Sequence, residues 1–341
     1  MKTRWLERQD TYLFAHHQSV VLMDLLMARD VKPDFFLRKT GLFYEDVSSG
    51  SKKLSPEQFA QLCDNASQPP HAADVSFLFG QRMLPGYFGC YSSALQNAPT
   101  LRHALHLLVE FSILFFPLLS PMLRQSKNRM YIDFRPNFGE FSTSLLSSST
   151  SRPSRFIKEM TVTAITSLTT WLAKENLPWM FDFDFPEPDY QSEYDVFLGN
   201  DRHFLKTYTS MSIAESYLDK PWTMSSKTIY QMALEESRQA FLKLNAQQSL
   251  LAVINDMLNS DIQHLPSLEA MADILDISPA TLKRKLKTHN TSYQKLCDKV
   301  RKRISINLIN DLDYNEGQVA EYLNFYDVSN FRRSFKRWLA Y

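Results

Sequence analysis

Glycine is nearly absent from this chain, with eight residues in 341. Nucleotide-cofactor loops and phosphate cradles need several glycines close together, and no such loop occurs here. The G-x-S-x-G and H-E-x-x-H patterns are missing too, which removes the commonest hydrolase and metalloprotease signatures. Cysteine is also scarce. Cys63, Cys90 and Cys297 lie far apart with no C-x-x-C spacing, which argues against a disulfide framework or structural zinc and for a reducing, cytoplasmic compartment. Long apolar runs are lacking as well. The longest, Leu107–Leu119, is too short to span a bilayer and contains Glu110 and Pro117. The first ten residues are charged and have no apolar centre, so they do not form a signal peptide. Finally, charge of one sign is missing: the net charge is +1. Any attraction for nucleic acid must therefore be local.

A duplicated pattern fills the last ~75 residues. One copy runs from Leu268 to Lys287 and the other from Gln318 to Trp338. Ala272 corresponds to Ala320, Leu275 to Leu323 and Asp276 to Asn324. After one extra residue in the second turn, Leu282 corresponds to Phe331, Arg284 to Arg333, Leu286 to Phe335 and Lys287 to Lys336. Each copy reads as helix, tight turn, basic helix, the shape of a helix-turn-helix reading head for duplex DNA. The small Ala272 and Ala320 let the second helix cross closely. Asp276 and Asn324 stand where the chain must turn through left-handed backbone, which Asx residues tolerate best after glycine. Ser278-Pro279 supplies a cap and a first-turn proline. Leu282 and Leu286 then face inward, as do Phe331, Phe335 and Trp338. That leaves Ala280, Lys283, Arg284 and Lys287 outward in the first copy, and Val328, Ser329, Arg332, Arg333 and Lys336 in the second.

The charge is segregated in the same register. Residues 279–310 hold nine Lys/Arg against Asp298 alone, and residues 328–341 hold four Lys/Arg and no acid. Residues 246–278 and 311–327 carry five acids each and no Lys/Arg. This partition suits one face docking on phosphates while a few side chains reach base edges. A basic helix face is often merely solvated. Two copies in register make that plain reading hard to sustain.

Residues ~247–341 resemble the DNA-binding domain of the AraC/XylS family of bacterial transcription regulators. The likeness is carried by Leu268…Ala272…Leu275, Ser278-Pro-x-x-Leu282-x-Arg-x-Leu286, Thr291-Ser-Tyr and Phe331-x-Arg-x-Phe-Lys-Arg-Trp338. Asn324 departs from the glycine common there. The resemblance implies two reading heads, about 267–289 and 315–339, joined by a linker helix over 292–310. Leu296, Val300, Ile304 and Leu308 at four-residue spacing suit that rod.

The larger N-terminal part is less legible. Apolar periodicity predicts helices over ~12–30, from Ser55 through Cys63 with a capping serine and first-turn proline, over 100–116 and over 156–175. Met130–Phe134 alternates and reads as a strand paired with Glu140–Leu146, and 147–154 reads as a Ser-rich loop. Phe181, Phe183 and Phe185 share one face of a strand, with Asp182 and Asp184 on its wet face. This half resembles the arabinose-binding-type effector domain of one branch of the same family, from about Phe35 to Glu236. The motifs are Leu84-Pro-Gly-Tyr-Phe-Gly89, Ala98-Pro-Thr-Leu-Arg-His-Ala-Leu105, Phe185-Pro-Glu-Pro188 and Tyr194…Phe197-Leu-Gly199. The domain's name records a pattern rather than a sugar ligand. Phenylalanines concentrated around 111–116, 134–141 and 181–185 either fill the core, the plainer role, or line a pocket for an apolar or amphipathic effector.

His103 and His106 are three apart with no third ligand near, and no cofactor or metal is expected. The expected fold is mainly α with a small β component: an α+β effector-sensing and dimerisation domain over 1–240, then an all-α domain of two helix-turn-helix units. The resemblance implies a non-enzymatic, effector-responsive activator of a neighbouring metabolic or stress operon. It implies promoter DNA, RNA polymerase, a small effector and a second copy as partners. A repressor acting by promoter occlusion, and an enzyme fused to a DNA-binding tail, are the alternatives.

Overall fold

The computed structural model describes residues 5–68, 73–139, 152–244 and 247–339. Helices dominate, and the chain divides into two compact units. Residues 7–247 form one, while residues 5–6 and 248–339 form the other.

The first unit contains a five-stranded sheet. Its strands are β1 (Leu119–Ser126), β2 (Arg129–Pro136), β3 (Met180–Asp182), β4 (Arg202–His203) and β5 (Ser210–Ala214), in the spatial order β1-β2-β5-β3-β4. All pairs are antiparallel except β3 with β4. The β1–β2 hairpin closes on Lys127 and Asn128, both at positive φ (45° and 59°), which matches the twist of the flanking strands. This corrects the expected pairing of Met130–Phe134. β1 lies along one edge of β2, β5 along the other, and residues 140–146 fall outside the described residues, as do 147–151 of the expected loop.

Helix α1 (Val75–Met83) packs on the long helix α2 (Arg152–Ala173). Their approach is close because Gly80 has no side chain. A Cβ there would lie 2.4 Å from the Met160 carbonyl oxygen. The α2 helix ends at Lys174, in left-handed backbone at φ 61°. The Ser55 cap forms as expected. Its hydroxyl accepts from the Gln58 N–H at 3.2 Å and Gln58 Oε1 accepts from the Ser55 N–H at 3.0 Å, starting the helix Pro56–Ala66.

Two expected helices are shorter. Leu13–Phe14 pairs with Lys53–Leu54 as a two-stranded sheet, so the first helix starts only at Gln18. The helix from Leu101 stops at Glu110. Phe111 leaves helical backbone (φ −108°, ψ 24°) and a separate turn covers Ser112–Phe115, which buries Phe111, Ile113, Leu114, Phe115 and Phe116 together.

The phenylalanines of 181–185 are fully buried on one face, with ring centroids 6.3 Å (Phe181–Phe183) and 5.0 Å (Phe183–Phe185) apart. The hydrogen-bonded strand itself covers only Met180–Asp182. Asp184 is not on a wet face. It accepts from Lys158 Nζ at 2.7 Å and from the Thr209 hydroxyl at 2.7 Å. His103 accepts or donates at Thr100 Oγ1 (2.8 Å) and stands edge-on to Tyr230 at 5.5 Å.

Beside Lys158 on α2, Glu159 is buried and receives three hydroxyl donors: Ser76 (2.6 Å), Tyr190 (2.8 Å) and Tyr194 (2.6 Å). Burial outweighs those donors and the nearby Arg155, and it holds the Glu159 carboxyl above its ordinary value of 4.5. An acid whose pKa is raised on folding stabilises the native state below its unfolded pKa and loses that contribution as pH climbs through the folded value. Glu159→Gln removes this proton linkage. The stability of the wild type relative to Glu159→Gln should therefore fall as pH rises from about 5 to about 8. Urea midpoints at both pH values measure it, and a constant or rising difference refutes the assignment.

Candidate nucleic-acid interface

The second unit is built from helices α4 (Leu250–Ser260), α5 (Leu268–Ile274), α6 (Pro279–Thr288), α7 (Tyr293–Leu312), α8 (Glu316–Tyr322) and α9 (Val328–Leu339). In the first helix-turn-helix, Ser267 caps α5 by accepting from the Ala270 N–H at 3.1 Å. Met271, Ala272 and Leu275 are buried. Asp276 then takes left-handed backbone (φ 54°), and the Ile277 N–H returns to the Ala272 carbonyl at 3.0 Å. Ser278 caps α6, accepting from the Thr281 N–H at 3.1 Å, with Pro279 in its first turn. Leu282 and Leu286 are buried. Ala280, Lys283, Arg284 and Lys287 are exposed on the remaining arc.

The second helix-turn-helix repeats this with different side chains. Asn315 and Gln318 form a reciprocal cap on α8, at 3.0 and 2.9 Å. Val319, Ala320 and Leu323 are buried, Asn324 turns the chain at φ 56°, and the Phe325 N–H meets the Ala320 carbonyl at 2.8 Å. Asp327 caps α9 by accepting from the Asn330 N–H at 2.7 Å. The inner face of α9 is aromatic. Phe331 and Trp338 are buried, Phe335 is half-buried, and Phe331 stacks on Phe335 at 5.3 Å.

Ser329, Arg332, Arg333 and Lys336 are exposed on α9. Val328 differs from expectation: it is half-buried and packs against the core of this unit, so its side chain supports the start of α9. Arg332 is held in an exposed ion pair with Glu316 of α8. Lys283, Arg284, Lys287, Arg333 and Lys336 have no ion pair or side-chain hydrogen bond among the described residues. Five cations thus stand free on two helices.

Helix α7, twenty residues long, lies between the two copies in sequence and contributes Leu296, Cys297, Val300 and Leu308 to the core they share. Ile304 is half-buried against it. Tyr293 at its start donates its phenol to the Pro266 carbonyl at 2.7 Å, and burial pushes that phenol above the usual tyrosine range.

Sequence reasoning missed one component altogether. Leu6 lies beside Ser249 in a parallel bridge: its N–H donates to the Gln248 carbonyl at 2.8 Å, and its carbonyl accepts from the Leu250 N–H at 3.3 Å. Trp5 packs on the core of the unit, with Lys285 Nζ 5.7 Å from its ring centre. The only signal was an apolar pair, Trp5-Leu6, in an otherwise charged segment.

Among curated proteins, the chain is similar to the ornithine utilization regulator of Pseudomonas aeruginosa, 24% identical over 318 residues, covering 93% of this chain and 91% of that protein. It is similar to the porin thermoregulatory protein EnvY of Escherichia coli, 34% identical over 110 residues, or 32% of this chain and 44% of EnvY. It also matches an uncharacterized HTH-type transcriptional regulator of Mycobacterium tuberculosis, 23% identical over 139 residues, 41% of this chain and 40% of that one. The crystal structure of the transcriptional regulator CdpR from Pseudomonas aeruginosa aligns over 95% of both chains, with 18% identity and a TM-score of 0.47. Residues 31–222 match the family model of the arabinose-binding N-terminal domain of AraC transcription regulators. That match spans more than half of the sequence, and the chain belongs to the AraC family of transcription regulators.

Proposed function

We propose that residues 248–339 bind promoter DNA by laying the exposed faces of α6 and α9 into successive major-groove segments of one duplex. In this reading residues 7–247 hold a small effector and bring two copies together. The supporting observation is the repeated division of each reading helix into a buried apolar face and an arc of unpaired cations. The rod between the copies, about 30 Å at 1.5 Å per residue, is close to one turn of B-form DNA, about 34 Å.

The roles follow from chemistry. Arg284 and Arg333 present forked donors that suit the O6 and N7 acceptors of guanine. Lys283, Lys287 and Lys336 are compact charges suited to phosphates. Ala280 and Ser329 are small enough to let the backbone approach the groove. Arg332 reaches DNA only by leaving Glu316. Exposed Ile229, Met232 and Leu242 on helix α3 (Lys227–Leu242) favour self-association of the first unit.

The proposed regulator is a non-enzymatic activator working with RNA polymerase in the cytoplasm on a neighbouring metabolic or stress operon. The near full-length likeness to a regulator of ornithine utilization favours the metabolic choice. An effector changes promoter affinity only if it binds one conformation of the regulator better than another.

Arg284→Ala and Arg333→Ala should each weaken specific binding by about 1–3 kcal/mol and relax base preference at one position apiece. Footprints identical to wild type remove both residues from the reading surface. Lys287→Ala and Lys336→Ala should weaken binding about equally on all sequences and lower the salt slope by roughly one. A change confined to one base position contradicts their phosphate role. Genome-wide mapping of the bound protein identifies the promoter, and transcription from it should drop when the gene is deleted. A rise instead identifies a repressor.

A further inference from the structure

The two turns differ by a single residue, and the side chain of that residue faces water. Ile277 and Phe325 hold equivalent places, each donating its N–H to the mid-helix alanine of its own copy. Ser278 and Asp327 are equivalent too, each capping the reading helix that follows. Tyr326 falls between Phe325 and Asp327 and has no counterpart in the first turn. Its neighbour Phe325 packs on Phe331 and Trp338, with ring centres 5.6 and 6.0 Å away. Tyr326 is 97% exposed, the most exposed large apolar side chain among the described residues. It has no hydrogen bond or ring contact among them.

The turn makes no use of this ring. Its closure depends on the backbone of Phe325 and the carboxylate of Asp327, so any polar residue would serve at 326 as far as folding is concerned. A single exposed aromatic is ordinary on a protein surface; it is the position of Tyr326 that gives it a meaning. It precedes the cap of α9, and the N-terminal end of a reading helix is the end nearest the base edges, flanked by backbone phosphates. Tyrosine hydroxyls are among the neutral donors that meet such phosphates. The Asp327 carboxylate nearby is occupied by the Asn330 N–H (2.7 Å) and Nδ2 (2.9 Å).

We infer that Tyr326 is a DNA-contacting residue peculiar to the second head, its phenol donating a hydrogen bond to a phosphate oxygen at the edge of the groove that α9 enters. This rests on the DNA-binding reading above. It makes the two heads unequal, because the first has no such anchor.

The test uses the full chain and a duplex that it selects from a random-sequence pool. Tyr326→Phe should bind that duplex about 3- to 10-fold more weakly, the loss expected for one hydrogen bond, and Tyr326→Ala at least as weakly. The slope of affinity against salt should not change, because no charge is removed. Thermal melting should also be unchanged, because the side chain touches nothing in the fold. Ethylation of one phosphate bordering the second head's footprint should impair the wild type and leave Tyr326→Phe unaffected. Wild-type affinity for Tyr326→Phe overturns the phosphate contact, even if Tyr326→Ala is weakened. Arg333→Ala run in parallel separates the two levels: if it too binds normally, the second head does not read DNA, and the broader reading fails with the narrower one.

Discussion

Burial of two small apolar sets orients the whole C-terminal unit: Leu282 with Leu286 on α6, Phe331 with Trp338 on α9. Each of these side chains contributes about 1.5–3 kcal/mol when removed from water, whereas an exposed cation gains or loses at most about 1 kcal/mol by where it points. The apolar face therefore decides, and the charges take the arc that is left. At 3.6 residues per turn, burying 282 and 286 leaves 280, 283, 284 and 287 outward. Burying 331 and 338 does the same for 329, 332, 333 and 336. The basic surface is a geometric consequence of the core beneath it.

The same scaffold permits the two heads to differ. Asp276 and Asn324 both accept left-handed backbone, at a cost that a β-branched residue would raise sharply. Beyond that shared turn the copies diverge. The first is closed by leucines, the second by stacked aromatics. The second carries an ion pair from Glu316 to Arg332 and the additional Tyr326, while the first has Trp5 seated on its unit near Lys285. Relaxing either copy toward the other would change which cations are free.

In the first unit, polar groups are buried with partners. Lys158 and Glu159 are adjacent on α2, one in an ion pair with Asp184 and the other under three hydroxyls. Breaking such a pair from one side typically costs about 3–5 kcal/mol, more than a single buried methyl or two. These contacts join α2 to α1 and to residues 184–194, segments that the chain order leaves apart. The phenylalanine face of 181–185 packs as core around them.

The two helix-turn-helix repeats were legible in sequence because every determinant is local. Alanine, Asx, cap and apolar positions all fall within about twenty residues of one another, and helix periodicity converts them directly into faces. Val328 obeys the same logic, and the expectation misplaced it: three residues before Phe331 and seven before Phe335, it falls on the inner face of α9 by spacing alone. The hairpin at Lys127-Asn128 was missed because its turn carries a weak signature and strand partners are chosen across the sheet. The Lys158–Asp184 pair spans 26 residues, and the bridge of Leu6 to Ser249 joins residues 243 positions apart. Sequence alone determined the helices of the two C-terminal repeats, the Ser278 cap and the division of α6 and α9 into an inner and an outer side, since these depend on neighbours one or two turns away. Tertiary structure alone decided which cations are paired, which polar groups are buried and which distant segments share a core, since those outcomes depend on desolvation and contacts between residues that no periodicity brings together.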